Sequence, residues 1–191
     1  MTIDRSSKMT IRDLTLIALF VAIIAVMAQI TIPVQPVAFT MQTFAVFLAG
    51  LVLGAKRAAI AAALYLLLGA VGVPVFSAFQ GGFGILIGTH GGYLWSFPLV
   101  AFIVGYAADK VFRQKDAPAV KYVWLTAALA LASLVNLSMG TLYLAFFLQI
   151  GIFAAFLSGM LPFLIPEALK VVLAIALGPK LRKVIESRDL F

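Results

Sequence analysis

Positive charge along this chain is confined almost entirely to short clusters that separate long apolar stretches. Thirteen of its 14 Lys and Arg residues fall into four clusters, Arg5/Lys8/Arg12, Lys56/Arg57, Lys110/Arg113/Lys115/Lys121 and Lys180/Arg182/Lys183/Arg188. The stretches between alternate clusters, at residues 31–41, 72–92 and 149–161, contain no Lys, Arg, Asp or Glu. Positive charge beside membrane helices stays in the cytoplasm. The pattern therefore predicts six transmembrane helices with both termini cytoplasmic.

The composition supports an integral membrane protein. Hydrophobic residues make up 64% of the chain, charged residues 11%, and the mean hydropathy is +1.14, well outside the range of soluble domains. We expect an all-α, multi-pass bundle in the cell membrane, forming a single domain over residues 1–191. The net charge of +7 does not indicate nucleic-acid binding, because the charges border apolar spans and no nucleic-acid motif accompanies them. Absence of cysteine excludes disulfides and thiolate metal sites, and we expect no cofactor.

The apolar stretches give approximate bounds for the spans. Pro33 and Pro36 end the first span. Lys56 and Arg57 leave room for only a tight hairpin between the second and third spans, and Gly178-Pro179 is a stop signal for the last span. The second and third are short, so flanking apolar residues complete them or they lie against neighbours around a cavity. The predicted spans are 14–30, 41–55, 58–71, 93–108, 122–146 and 162–177.

The first span has an alternative interpretation. It follows basic residues, and Val26-Met27-Ala28 could pass for the cleavage site of a signal peptide. Its apolar run is longer than the usual 7–15 residue core of such peptides. We expect it to be retained as the first helix.

Residues 72–92 form the most unusual loop. A loop of this length is usually functional or disordered, and this one combines large apolar side chains with seven glycines, Gly72, Gly81, Gly82, Gly84, Gly88, Gly91 and Gly92. We expect it to fold back over an external cavity. The alternative is a packed cap that binds no ligand.

Aromatic residues mark both ends of the predicted spans. Tyr93 and Trp95 lie at one expected interface, and Tyr122 and Trp124 at the other. Such belts anchor membrane helices. We interpret all four first as anchors and only second as ligand contacts.

The sixth span contains the two charges that are placed inside the membrane, Glu167 and Lys170. Their spacing of three puts them on one helix face within contact distance. Ionisable groups within a membrane usually mark a substrate path, a proton relay or a ligand counter-ion. A neutral amide or cyclic urea would suit the pair, with Glu167 accepting N–H and Lys170 donating to C=O. The alternative is a self-paired couple that faces the bundle interior.

Other polar side chains could reach the same cavity. Gln42 begins the second span, Gln80 lies in the glycine-rich loop, and Asn136 lies within the fifth span. Asn136 is equally suited to bridging helices, since amide bonds between helices are typical in membranes. His90, the single histidine, has no second metal ligand nearby in the sequence, and we expect it to be solvated.

Enzyme motifs are absent from the sequence. It contains no G-x-x-x-x-G-K-[ST] phosphate loop, no G-x-S-x-G and no His-Glu-x-x-His. This leaves a protein that binds or transports a small molecule and has no ATPase site of its own.

Four runs of the sequence resemble those of the BioY family, the biotin-binding S components of energy-coupling factor vitamin transporters. They are T-x-Q-T-F-A-V-F-L-A-G-x-x-L-G-x-K-R at 40–57, Y-L-L-L-G-A-x-G-x-P-V-F at 65–76, G-x-x-G-G-Y-L at 88–94 and P-F-L-x-x-E-x-x-K at 162–170. Together they are highly specific, and the resemblance covers residues 14–177.

The resemblance implies a six-helix protein that binds biotin from outside, in a pocket formed by the first and third outer loops and the later helices. Energy would come from two cytoplasmic ATPases through a transmembrane coupling protein, although some family members transport alone. Ala18 and Ala22 resemble the A-x-x-x-A surface by which such components dock to the coupling protein. Binding residues would be drawn from Glu167, Lys170, Gln80, Tyr93, Gln42, Asn136 and His90.

The chain departs from the family pattern at two places. The family commonly has Asp where this chain has Glu167, and G-P-T-G-G-Y where residues 88–93 read G-T-H-G-G-Y. The longer side chain shifts the carboxylate by about 1 Å, which matters in a polar site, and His90 becomes a candidate contact for an anionic tail. Two other functions stay open, namely a proton-coupled carrier that works alone and a structural subunit without a ligand.

Overall fold

The computed structural model describes residues 9–114 and 117–187. Within them, the chain forms α1 (Ile11–Gln29), α2 (Gln42–Leu53), α3 (Ala55–Ala70), α4 (Phe83–Leu86), α5 (Gly91–Arg113), α6 (Pro118–Leu148), α7 (Ile152–Gly159) and α8 (Leu164–Ser187). Two 3-10 turns, Ser77–Phe79 and Leu161–Phe163, and two short strands, β1 (Thr31–Ile32) and β2 (Phe39–Thr40), complete it. Arg5, Lys8, Lys115 and Arg188 of the predicted basic clusters lie outside the described residues.

Each predicted span falls on one of the longer helices, α1, α2, α3, α5, α6 or α8. Four helical segments of the described chain are long and apolar enough to cross a membrane, namely α1, α5, α6 and Ile152–Ile185. Their outward side chains are apolar, with Phe146 74% and Ile165 83% exposed, as expected where lipid replaces water. Six crossings and the sidedness of the termini stay predictions.

The short helix α2 lies at the centre of the bundle. All of its residues are buried, and it packs against α1, α3, α5 and α8. Its 12 residues extend about 18 Å at 1.5 Å per residue, too short to cross the hydrocarbon alone. A short second span was expected either to be completed by flanking apolar residues or to lie against neighbouring helices, and the structure shows the second arrangement.

A single residue, Gly54, connects α2 to α3, as the tight hairpin predicted at Lys56 and Arg57 requires. Its φ is +79°, a conformation that glycine adopts without steric cost. Asp109 of α5 lies against this turn, where Oδ2 accepts a hydrogen bond from the Ala55 N–H at 3.0 Å and Oδ1 contacts Arg182 of α8 at 3.0 Å. One carboxylate therefore joins the ends of α2, α5 and α8 and the start of α3.

The last helix does not stop at Gly178-Pro179, so that prediction is wrong. Helix α8 contains Pro179 and continues to Ser187. Proline removes one intrahelical hydrogen bond, but contacts beyond it hold the helix in place. Arg182 donates to the Leu51 carbonyl at 3.3 Å as well as to Asp109.

The loop between α1 and α2 forms a small hairpin. Thr31 pairs with Thr40 and Ile32 with Phe39 in an antiparallel ladder. The chain is mostly helical, as expected. This short hairpin adds strand pairing that the all-α prediction did not include, and it satisfies part of the polar backbone at this end of the bundle. Pro33 and Pro36 lie between the two strands, beyond the end of α1.

Residues 72–92 are tied to the end of α1 by one side chain. Gln29 Oε1 accepts a hydrogen bond from the Phe79 N–H at 2.8 Å, and its Nε2 donates to the Phe76 carbonyl at 3.1 Å. The Ser77 hydroxyl donates to Thr31 Oγ1 at 3.0 Å. The glycine-rich loop is thus fastened to α1 and to the first loop.

Candidate functional site

A cavity of about 380 Å³ lies at the end of the bundle where α2 and α5 begin. We call it the loop-side cavity. Side chains from residues 31–40 and from residues 76–90 cover it, and α2, α5, α6 and α8 supply its walls. Its volume is within the range of pockets that hold small molecules. The glycine-rich loop folds over a cavity, as the sequence predicts.

The structure brings six of the seven predicted binding residues to this cavity, Gln42, Gln80, Tyr93, Asn136, His90 and Lys170. Glu167, the seventh, does not line it. The expectation that both charged groups of α8 face the cavity is therefore wrong for the carboxylate.

Lys170 reaches the cavity from α8 with its side chain buried. Its Nζ donates to Glu167 Oε1 at 2.5 Å and to the Thr43 hydroxyl at 2.9 Å. The Thr43 hydroxyl in turn donates to Glu167 Oε1 at 2.8 Å. An ammonium group has three N–H donors, so one remains for an acceptor inside the cavity.

Glu167 lies one turn earlier on α8, behind the ammonium. Its Oε2 is buried and makes no hydrogen bond with the described residues. Removing either charge from a buried pair leaves the other uncompensated, so Lys170 and Glu167 depend on each other for their burial. The predicted contact between Glu167 and Lys170 is confirmed. Glu167 matches the alternative in which the two charges pair with each other inside the bundle, whereas Lys170 also lines the cavity.

Gln42 connects α2 to the glycine-rich loop through Tyr65. Its Nε2 donates to the Tyr65 hydroxyl at 2.7 Å, and that hydroxyl donates to the Val75 carbonyl at 3.1 Å. Tyr65 is fully buried between the rings of Phe76 and Phe97. Tyr65 is not among the predicted site residues, although a tyrosine in the middle of an apolar helix indicates a buried polar contact.

Tyr93 and Asn136 fix the contact between α5 and α6. The Asn136 Nδ2 donates to the Tyr93 carbonyl at 3.1 Å and to the Ser96 hydroxyl at 2.6 Å. The Tyr93 ring is buried, and its hydroxyl donates to the Gly159 carbonyl at 2.6 Å. Asn136 therefore bridges helices, as one of its two predicted roles requires, and it also lines the cavity, where contact with a ligand stays a prediction.

The predicted aromatic belt needs one correction. Trp95, Tyr122 and Trp124 are 47%, 43% and 61% exposed, whereas Tyr93 is 8% exposed. Because Tyr93 points into the bundle, where its hydroxyl finds a carbonyl partner, it is not an interfacial anchor. Its ring instead stacks on Phe163 with centroids 6.1 Å apart.

His90 is not solvated, contrary to expectation. It is half-buried in the wall of the cavity, and its Nε2 accepts a hydrogen bond from the Ala38 N–H at 3.4 Å. An accepting Nε2 places the proton of the neutral ring on Nδ1, which lies 3.2 Å from Thr89 Oγ1. Burial lowers the pKa of His90. The ring is therefore neutral at pH 7 and joins the two loops that cover the cavity.

Thr43 and Phe163 are two further site residues that the sequence patterns do not predict. Thr43 is buried between Lys170 and Glu167, and no spacing rule links residues so far apart in sequence. The Phe163 ring packs on Phe39 with centroids 4.3 Å apart and lines the cavity. It adds an apolar surface to the cavity wall.

The arrangement is suited to binding rather than to covalent chemistry. Lys170 supplies a charge-assisted donor, Asn136 and Gln42 supply amides, and aromatic rings supply apolar contact. No group of three or more His, Cys, Asp or Glu within residues 9–114 and 117–187 could hold a metal ion. A small ligand with one polar, uncharged end and an apolar body would match this cavity.

The predicted docking residues lie on a different surface. Ala18 and Ala22 are exposed on one face of α1. The absence of larger side chains at these positions leaves a shallow surface on which another helix can pack closely.

Comparison with known proteins gives consistent matches over nearly the whole chain. The BioY family profile matches residues 4–187. A protein of Pyrococcus horikoshii named "Probable biotin transporter BioY" is 38% identical over 174 residues, which are 91% of this chain and 98% of that protein. The "Biotin transporter BioY" of Thermotoga maritima is 38% identical over 172 residues, 90% of this chain and 96% of that one.

A solved structure of another protein shares the fold. The crystal structure of the S-component for biotin from an ECF-type ABC transporter superposes with a TM-score of 0.82, at 24% identity, and covers 92% of this chain and 95% of that one. The transporter names of the relatives and the apolar helices together identify a multi-pass membrane protein. By the extent of these matches, the chain belongs to the BioY family.

Proposed function

We propose that this chain binds biotin in the loop-side cavity and is the substrate-binding subunit of a biotin uptake system in the cell membrane. The observation that carries the proposal is the buried ammonium of Lys170, with a free donor, inside a cavity of about 380 Å³ covered by two loops. The names of the relatives, which are called biotin transporters, indicate the ligand that would fill it.

The polar end of biotin is a cyclic urea, which offers one C=O acceptor and two N–H donors. In our proposal the C=O accepts from Lys170, and the N–H groups face the side-chain oxygens of Asn136 and Gln42. Glu167 holds the ammonium in place instead of contacting the ligand, because it lies behind Lys170 and off the cavity wall.

The remaining parts of biotin fit the other walls. The thioether ring would lie against Phe163 and Tyr93, where sulfur and aromatic rings make favourable contacts. The carboxylate tail would extend toward the two loops, where Gln80 and the N–H groups of residues 76–90 can donate to it. His90 would sit beside this tail as a neutral donor through Nδ1.

Energy for uptake would come from partner subunits. The sequence has no phosphate loop for ATP, and the exposed Ala18 and Ala22 offer a helix-packing surface on α1. We propose that a transmembrane coupling protein packs there and connects this chain to two cytoplasmic ATPases. A proton-coupled carrier that works alone is the alternative, in which Glu167 would take up the proton.

Retention of labelled biotin by the purified chain tests the proposal. We expect saturable binding that Lys170→Ala abolishes, with Lys110→Ala as the control, because Lys110 is an exposed lysine remote from the cavity. Equal retention by both variants, or none by the wild type, would refute biotin binding at this site. The latter result would favour a structural subunit.

Uptake measurements separate the two transport mechanisms. Cells that contain the coupling protein and ATPases should accumulate biotin, and Ala18→Leu/Ala22→Leu should reduce uptake without weakening binding. Uptake by vesicles that hold this chain alone, driven by a proton gradient, would instead establish the carrier.

A further inference from the structure

A second cavity opens at the opposite end of the bundle, where α1 and α3 begin and α2, α5 and α8 end. Its volume is about 730 Å³. We call it the basic cleft. No step of the proposed function uses it.

The cleft has a strong excess of positive charge. Five basic and two acidic side chains line it, an excess of three positive charges. The basic residues are Arg12, Lys56, Arg57, Arg113 and Arg182, and the acidic residues are Asp13 and Asp109. They come from α1, α3, α5 and α8, so the fold assembles the charge from distant parts of the chain.

The two carboxylates are already engaged by arginines. Asp13 pairs with Arg57 at 3.0 Å, and Asp109 pairs with Arg182 at 3.0 Å. The side chains of Lys56 and Arg113, in contrast, make no hydrogen bond or ion pair with any residue of 9–114 and 117–187. Two cations therefore face the cleft with their donors unused by the described chain.

Apolar surface borders the charged cleft. Met9, Leu16 and Ile185 contribute to its lining. Two leucines that neighbour cleft residues in the sequence are also exposed, Leu14 of α1 by 54% and Leu181 of α8 by 42%. The cleft thus lies where the apolar outer surface of the helices meets their charged ends, which is the level of lipid headgroups in a bilayer.

We propose that the basic cleft binds the phosphate of an anionic phospholipid. Lys56 and Arg113 would contact the phosphate, and the acyl chains would lie along the exposed apolar side chains of α1 and α8. Free inorganic phosphate shares the headgroup chemistry but gains nothing from this apolar border. A basic pocket between membrane helices is a recognised form of lipid-headgroup site.

The test uses the purified full-length chain in a neutral detergent, with native mass spectrometry to count retained lipid. Dioleoylphosphatidylglycerol is titrated against dioleoylphosphatidylcholine, and sodium phosphate is added at matched ionic strength. The variant is Lys56→Gln/Arg113→Gln. Its control, Lys110→Gln/Lys180→Gln, removes the same charge from exposed lysines outside the cleft.

We expect one phosphatidylglycerol to be retained in preference to phosphatidylcholine. The cleft variant should weaken this retention by about tenfold or more, as loss of two basic groups near a lipid surface predicts, and the control should change it by less than about twofold. Each single variant, Lys56→Gln or Arg113→Gln, should give part of the loss.

Three outcomes would overturn the proposal. Equal losses in the cleft and control variants would mean that lipid binds through net charge alone. Displacement of the lipid by sodium phosphate would identify a site for free anions. Unchanged lipid retention together with loss of a co-purifying cytoplasmic protein would make the cleft a protein-docking surface.

Discussion

The ammonium of Lys170 lies 2.5 Å from Oε1 of Glu167, and both side chains are buried, 5% and 4% exposed. Thr43 bonds to both groups from α2. The charges of Glu167 and Lys170 therefore neutralise each other within the protein. A ligand needs only to accept the remaining hydrogen bond of the Lys170 ammonium. This favours an uncharged polar group over a carboxylate at this end of the cavity.

Replacing one member of the pair should destabilise the fold more than replacing both. Lys170→Met leaves the Glu167 carboxylate buried without its cation, which costs about 3–5 kcal/mol in comparable pairs. We expect Glu167→Gln/Lys170→Met to recover most of that loss while still failing to bind biotin. Unfolding in sodium dodecyl sulfate, followed by fluorescence, measures the difference. Equal stability of the single and double variants would contradict the pairing.

Acidification should loosen the loops through His90. Burial lowers its pKa in the folded protein below the ordinary value of about 6.5. Its contribution to stability is complete above that value, and it declines as the pH falls, because the unfolded chain takes up the proton more readily.

We therefore expect the melting temperature to fall between pH 7 and pH 5, and to fall less in His90→Gln. His90 is the only histidine in the sequence, so the difference between the two proteins reports on this ring. Identical pH profiles would show that protonation of His90, and with it the hydrogen bond from Ala38, does not affect the stability of the folded protein.

Gly140 permits α6 to approach Tyr93. A Cβ at this position would lie 2.1 Å from Tyr93 Cδ1, so Gly140→Ala must displace the ring that lines the cavity. We expect a loss of about 1–3 kcal/mol in stability and weaker biotin binding, measured by thermal unfolding and by ligand titration. Gly84→Ala is the control, because an added Cβ there would meet no atom within 4 Å apart from its chain neighbours and the adjoining helix backbone. Similar effects of both substitutions would argue against a steric origin.

Gln29 should control how long a ligand remains bound. Gln29→Leu removes the bonds to Phe79 and Phe76 that hold the glycine-rich loop on α1. We expect faster biotin dissociation, by roughly tenfold for the loss of about 1–1.5 kcal/mol in hydrogen bonds, and faster amide exchange over residues 77–82. Gln114→Leu, at an exposed glutamine outside the cavity, should change neither rate. Dissociation at the wild-type rate in Gln29→Leu would exclude the loop as the barrier.

Local sequence patterns predicted the elements better than their connections. The apolar runs located all the long helices, and the glycine-rich loop was correctly expected over a cavity. The end of α8 was misplaced because Gly178-Pro179 is a local stop signal, whereas the contacts of Arg182 with Leu51 and Asp109 that extend the helix are distant in sequence.

The candidate site shows the same limit. Lys170 and Asn136 were identifiable because polar residues are rare within membrane spans. The sequence does not identify the roles of Thr43, Tyr65 and Gln29. Hydroxyl and amide groups in or beside apolar helices have many possible partners, and the sequence does not select among them. Biotin as the proposed ligand comes from the family resemblance, since neither spacing nor composition specifies it.

Asp109 has a mechanical consequence for ligand exchange. Its carboxylate clamps the turn at Ala55 and the cation of Arg182, so the helices cannot splay apart at that end without breaking a charged contact. The loops at the far end, residues 31–41 and 72–92, contain no Lys, Arg, Asp or Glu, so they are held to the helices by uncharged hydrogen bonds, such as those of Gln29 and Tyr65, and by apolar packing. Entry and exit of a ligand should therefore proceed by lifting of the loops, while the end of the bundle that Asp109 joins stays closed.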